Sequence, residues 1–173
     1  MKTTVCVALL LATSSASAFA ASPATDSFEV NATVQGACVI LNSNNLPFGL
    51  YNPVTIEGAP ETASESSIAI RCTNGLTQVS VFLSEGQNAL PSSTCVQPRR
   101  QLISEENNKI TYQIYQDEQR TKVWGCDESN AHNIAQFVSS IVPVTLNTFS
   151  LIPGGQNIAK GKYVDVVNVS VRF

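Results

Sequence analysis

Histidine is nearly absent from this chain of 173 residues, and only 13% of the residues carry charge. With His132 as the single histidine, any His-based triad or multi-His metal site must run through it. Its neighbours are polar, so it reads as a solvated loop side chain. There is no CxxC pair for structural zinc, and no GxSxG, HExxH, P-loop or dinucleotide fingerprint. The acidic pairs Glu105-Glu106 and Asp127-Glu128 lie in polar stretches that offer nothing to bury one carboxyl and raise its pKa, so they read as solvated charge. The net charge of −3 leaves no basic face for nucleic acid. A helical apolar period is missing beyond the first residues, and no later run approaches the roughly 20 apolar residues that span a bilayer. Together these gaps argue against an enzyme, a cofactor, a metal, a nucleic-acid partner and a membrane span.

The first residues, by contrast, have a clear pattern. Lys2 precedes an apolar run over residues 5–11, and Ala18-Phe19-Ala20 supplies a small-x-small cleavage site, so residues 1–20 read as a secretory signal cut before Ala21. What remains has the length of one domain. Of five cysteines, Cys6 falls in the signal. Cys38, Cys72, Cys95 and Cys126 remain, an even number in an exported chain, which points to two disulfides. Four cysteines allow three pairings, and their spacing does not choose among them.

The mature chain alternates. Phe28, Val30, Ala32 and Val34 stand on one face of residues 28–34, with polar residues between them, the period of a half-buried strand. Residues 38–41 resume an extended apolar run. Further strands are expected at 67–72, at 77–83 after the Asn74-Gly75 turn, and at 109–115, with 122–124 closing a hairpin. Asp117 reads as a turn former and Trp124 as core. Residues 136–151 suggest one or two strands broken at Pro143. From Gly161 to the end, Tyr163, Asp165, Val167, Val169, Val171 and Phe173 share a face. Residues 52–67, 84–100 and 127–135 read as loops, the second of them stapled by Cys95. Two glycosylation sequons, at Asn31 and Asn168, fall inside expected strands and read as coincidence. Short strands separated by turn clusters predict an all-β antiparallel sandwich.

Several segments, in order, resemble one family. They are Phe28-x-Val30-x-Ala32-x-Val34 with Gly36-Ala37-Cys38, then Phe48-Gly49-x-Tyr51, then Ile68-x-Ile70-x-Cys72-Thr73-Asn74-Gly75. Next come Ile110-Thr111-Tyr112-x-Ile114-Tyr115-x-Asp117 and Trp124-Gly125, then Ile152-Pro153-x-Gly155-Gln156 and the alternating Gly161-to-Phe173 segment. The set is similar to the spore coat protein U domain family, which includes the Csu-type subunits of archaic chaperone–usher pili. Phe149-Ser150 departs from the Tyr-Gly-like pair expected before the Ile-Pro turn.

The resemblance implies an incomplete immunoglobulin-like sandwich over residues 36–173, preceded by an extension over 21–35. It implies that a periplasmic chaperone and an outer-membrane usher assemble such subunits into a surface fibre or coat, supporting attachment or biofilm formation. Each subunit would be completed by a strand donated by another copy or a related subunit. On that reading Phe28, Val30, Ala32 and Val34 are the donor's plugs. Tyr163, Val167, Val169, Val171 and Phe173 then belong to the strand lining the acceptor groove, and Cys38–Cys72 and Cys95–Cys126 are the disulfides. Alternation alone leaves residues 28–34 equally able to pair within their own sandwich, as in a monomeric secreted binding module or an adhesin for a surface or glycan. The lack of an additional N-terminal binding domain before the donor-like strand favours a shaft or adaptor subunit over a tip adhesin.

Overall fold

The computed structural model describes residues 24–54 and 62–173. The expected signal, and residues 55–61 of an expected loop, lie outside them. The chain divides into two units at Thr33 and Val34. In the first, residues 24–33 carry no strand or helix.

The second unit is an antiparallel sandwich. Among the described residues its strands are β1 (Cys38–Ser43), β2 (Thr62–Cys72), β3 (Thr77–Leu83), β4 (Arg100–Ile103), β5 (Lys109–Tyr115), β6 (His132–Gln136), β7 (Val144–Ile152) and β8 (Val169–Arg172). One sheet has the order β1-β2-β7-β5-β4, the other β6-β3-β8. Alternation sets which face is buried: Ile68 and Ile70 from β2, Val79 and Val81 from β3, and Ile110, Tyr112 and Ile114 from β5 meet in the core with Leu146 and Ile152 of β7. Trp124 is fully buried among them, and its Nε1 donates to the Val81 carbonyl at 2.9 Å. Asp117 shapes its turn, accepting from the Thr121 and Lys122 amides and the Thr121 hydroxyl. Both disulfides form, Cys38–Cys72 and Cys95–Cys126. The first joins directly opposed residues of β1 and β2.

Several expectations need correction. β2 starts at Thr62, inside the expected 52–67 loop, and pairs with β7 from Thr62↔Ile152 to Ile70↔Val144. Its polar first half is stitched in by hydroxyls: Ser64 donates to the Pro47 carbonyl at 2.6 Å, and Ser66 to the Asn44 carbonyl at 2.9 Å. β6 stands where residues 127–135 were read as loop, after a single 3-10 turn at Glu128–Asn130. His132 is therefore not a solvated loop residue. It pairs with Val81 of β3, which carries its half-buried ring to 5.2 Å from that of Trp124. Burial first, and Lys122 second, hold its pKa below the usual value.

Two further strands also differ. Residues 137–143 form no strand, and β7 begins only after Pro143, which supplies no amide to a ladder. Of the long final strand, only Val169–Arg172 makes a continuous ladder, with β3. Earlier contact is limited to the Ile103↔Val164 bridge and single bonds such as Ser84 N to the Asn168 carbonyl at 2.9 Å.

Candidate functional site

An all-antiparallel sandwich exposes backbone wherever a sheet ends, and here two ends face a common opening. β1 closes one sheet and β8 the other. Among the described residues no ladder or bridge joins the 163–172 segment to β1 or to residues 44–54. Between them lies a groove.

One part, a cavity of about 360 Å³, is lined by Leu46, Phe48, Ile68, Tyr112, Val167 and Val169, together with Leu83, Leu102 and Thr148. The other, about 810 Å³, continues along Leu50, Tyr51, Ile158 and Tyr163. The two share Asn45, Leu46, Phe48, Leu102 and Asp165, so they form one continuous furrow.

β1 shows what this costs. Val39, Ile40 and Leu41 are all exposed: Ile40, opposite the buried Ile70, is on the core face, Val39 stands on the other face opposite Arg71, and Leu41 sits at a bulge in the β1–β2 register. A strand this apolar is ordinarily covered on one face. On the opposite wall Tyr163, Asp165, Val167, Val169 and Val171 are half-buried and Val164 and Val166 exposed. Phe173, expected on the inward face, is instead exposed because the chain has left the ladder after Arg172, and neither Val171 nor Phe173 lines the groove cavities. The groove therefore offers what an added β-strand requires, a row of apolar pockets flanked by two open sheet edges.

Polar residues hold the walls in place. The Tyr112 hydroxyl donates to Asp165 Oδ2 at 2.7 Å, and the Asn88 amide and Nδ2 donate to Oδ1 at 3.1 and 3.0 Å. Burial, then the neighbouring Asp165 carboxylate, pushes the Tyr112 phenol well above its ordinary pKa, so it remains a donor. Gly86, at φ +88°, passes so close to Asp165 that a Cβ would collide with the carboxylate. At the wide end, Tyr51 donates to the Pro153 carbonyl at 3.0 Å and accepts from the Gln156 amide at 3.1 Å, while Gln156 Oε1 accepts from the Thr111 amide at 2.8 Å. Residues far apart in sequence, Tyr51, Tyr112, Gln156 and Asp165, thus form the frame of the groove. Phe48 completes it edge-on to Tyr112, with ring centroids 5.8 Å apart.

Phe28, Val30, Ala32 and Val34 are exposed, Phe28 at 88%, and residues 28–34 form no strand in the single chain. Leu46, Leu102 and Thr148 line the groove without any sequence signal that singled them out, whereas Leu83 follows from the alternation of β3. Leu102 belongs to β4, a four-residue strand too short to show alternation and led by a charged and an amide residue.

Three likenesses to known proteins bear on this geometry. The model of the Spore Coat Protein U domain matches residues 24–170. "Protein U" of Myxococcus xanthus is 30% identical over 176 residues, covering 96% of each chain. Among solved structures, a chain in the chaperone–tip adhesion subunit pre-assembly complex, CsuC-CsuE, from the archaic chaperone-usher Csu pili of Acinetobacter baumannii superposes with a TM-score of 0.51 at 22% identity. That match takes in 82% of the present chain but only 41% of the other, and it is a likeness of fold.

Proposed function

This chain belongs to the Spore Coat Protein U domain family, and from that membership and the open groove we propose that it is a structural subunit of an extracellular fibre or coat, polymerising by donor-strand complementation. The observation that carries the reading is the apolar groove between residues 43–53 and the 163–169 segment, beside the open edges of β1 and β8. An inserted strand would pair with an open sheet edge and place alternate side chains in the pockets. Phe28, Val30, Ala32 and Val34 have the spacing such a strand needs, and their exposure leaves them available to another subunit. Burying each large plug contributes about 1.5–3 kcal/mol, before any ladder bonds.

Insertion of one chain's extension into the next is head-to-tail and does not close, so it propagates. Before assembly the same groove needs a temporary occupant, the role of a periplasmic chaperone, with an outer-membrane usher exporting the subunits. The product lies outside the cell and acts by shape, supporting attachment or biofilm formation, with no chemistry of its own.

The test is the assembly state of the mature chain with and without residues 21–35, by size-exclusion chromatography with light scattering. The expected result is a series of oligomers from the full chain, abolished by the truncation and by a competing peptide spanning residues 25–35. A stable full-length monomer that unfolds when truncated would overturn it in favour of a monomeric binding module.

A further inference from the structure

Two groups of exposed apolar side chains lie at opposite poles of the sandwich. At the first pole stand Val138, Ile141 and Val142, with Ile141 at 79% exposure. Their loop is held in shape: Ser139 Oγ accepts from the Ile141 and Val142 amides at 3.1 and 3.0 Å, and Ser140 Oγ from the Asn74 amide at 2.6 Å. The chain enters β1 at this same pole, where the Ala37 amide donates to Thr73 Oγ1 at 3.0 Å and the Gly75 amide to the Phe137 carbonyl at 2.8 Å.

At the second pole Leu50 is 98% exposed and Val54 is also exposed. Gly49, at φ +71°, turns the chain so that Leu50 points outward between the anchored Phe48 and Tyr51. β2 runs from the second pole at Thr62 to the first at Cys72, a separation of roughly 35 Å.

We infer that these two patches meet in a head-to-tail contact between copies of this chain. The inference rests on the donor-strand reading and follows from direction and tether length. β8 runs from Val169, opposite Leu83, to Arg172, opposite Ser80, and so toward the first pole. Every ladder in the sandwich is antiparallel. A donated strand continuing that pattern beside β8 runs the other way and leaves the groove at the Leu50 pole.

Only Gln35, Gly36 and Ala37 separate the last plug, Val34, from Cys38 at the start of β1. Such a tether spans at most roughly 14 Å, so the donor's first pole is drawn against the acceptor's second. Val138, Ile141 and Val142 of one copy then cover Leu50 and Val54 of the next, removing both patches from water. The two surfaces differ, so the contact repeats without closing.

Leu50→Cys and Ile141→Cys, introduced together in the full mature chain, test this with a short bismaleimide added to the assembled protein. A covalent ladder on a denaturing gel is expected from the double variant and from neither single variant. Oligomers that form without giving a ladder would overturn the contact and leave the donor-strand reading standing. A ladder or dimer from a single variant would mean a two-fold contact and overturn it too, and a chain that stays monomeric would remove both readings. As a second measurement, Val138→Ser, Ile141→Ser and Val142→Ser combined change only exposed side chains. Assembly should survive, with oligomers dissociating at least about tenfold faster on dilution, equivalent to about 1.4 kcal/mol. An unchanged rate would count against the contact.

Discussion

At the scale of single residues, Arg100 is the least expected member of the core. It is fully buried, yet its guanidinium meets no carboxylate directly. It donates to the carbonyls of Ser84 at 2.7 Å, Trp124 at 2.8 Å and Leu83 at 3.3 Å, and to Gln113 Oε1 at 2.6 Å. Burial lowers its pKa to about 10, which still leaves it charged at neutral pH. One side chain thus ties the end of β3 to the segment at Trp124 through their carbonyls. Arg100→Met should destabilise the fold by about 3 kcal/mol or more in urea denaturation, since each orphaned group costs about 1–3 kcal/mol. Gly86→Ala should act through the neighbouring carboxylate: the new Cβ displaces Asp165, breaks its bonds to Tyr112 and Asn88, and lowers stability by about 2 kcal/mol.

His132 gives the residue scale a pH dependence. Its folded pKa lies below the ordinary 6.5, so the unfolded chain binds the proton more readily. Stability is then fully present above that value and falls as pH drops through the window below it. Asp117, whose pKa is lowered chiefly by the Thr121 hydroxyl, also loses its contribution toward acid, but at lower pH. His132→Phe keeps an aromatic ring against Trp124 and should flatten the decline just below pH 6.5, as followed by thermal melting. An unchanged slope would show that the ring titrates alike in both states.

At the scale of elements, the disulfides and the open strand act in opposite directions. Cys38–Cys72 pins the start of β1, an edge strand with exposed apolar side chains, to the end of β2. Cys95–Cys126 fastens the long loop after β3 to the segment before the 3-10 turn. Cys38→Ala with Cys72→Ala should cost about 2–5 kcal/mol, and the loss should shrink when a peptide spanning residues 25–35 occupies the groove, because only bound β1 is covered. Equal losses with and without the peptide would show that β1 takes no part in the groove wall.

At the scale of the whole molecule, the proposed donor-strand reading makes a sandwich with two facing open edges incomplete as a monomer and assigns its completion to the alternating side chains of the extension. Val30→Asp should leave the 34–173 unit folded and able to receive a donor, yet unable to cap its neighbour. Mixed with the native chain, it should shorten oligomers by light scattering, whereas normal lengths would remove Val30 from the donor.

What was legible in the chain was what alternation and turn chemistry encode locally. The all-β class, β3, β5, the inward face from Tyr163 to Val171, the core role of Trp124 and the turn at Asp117 all follow from periods of two and from residues with one conformational use. The ordered motifs carried the family, and with it the two disulfides. Elements held by distant partners were illegible: the polar half of β2 exists because Pro47 and Asn44 accept its serine hydroxyls, and β6 because β3 offers an edge beside Trp124. The groove belongs to the same class. Phe48, Tyr112 and Asp165 stood in the motifs, but only their meeting across more than a hundred residues of chain makes them one wall. Residues 28–34 mark the boundary between the two: they alternate as a strand does, yet form none in the single chain, because alternation chooses a face while the ladder needs a partner edge that only tertiary or quaternary structure supplies.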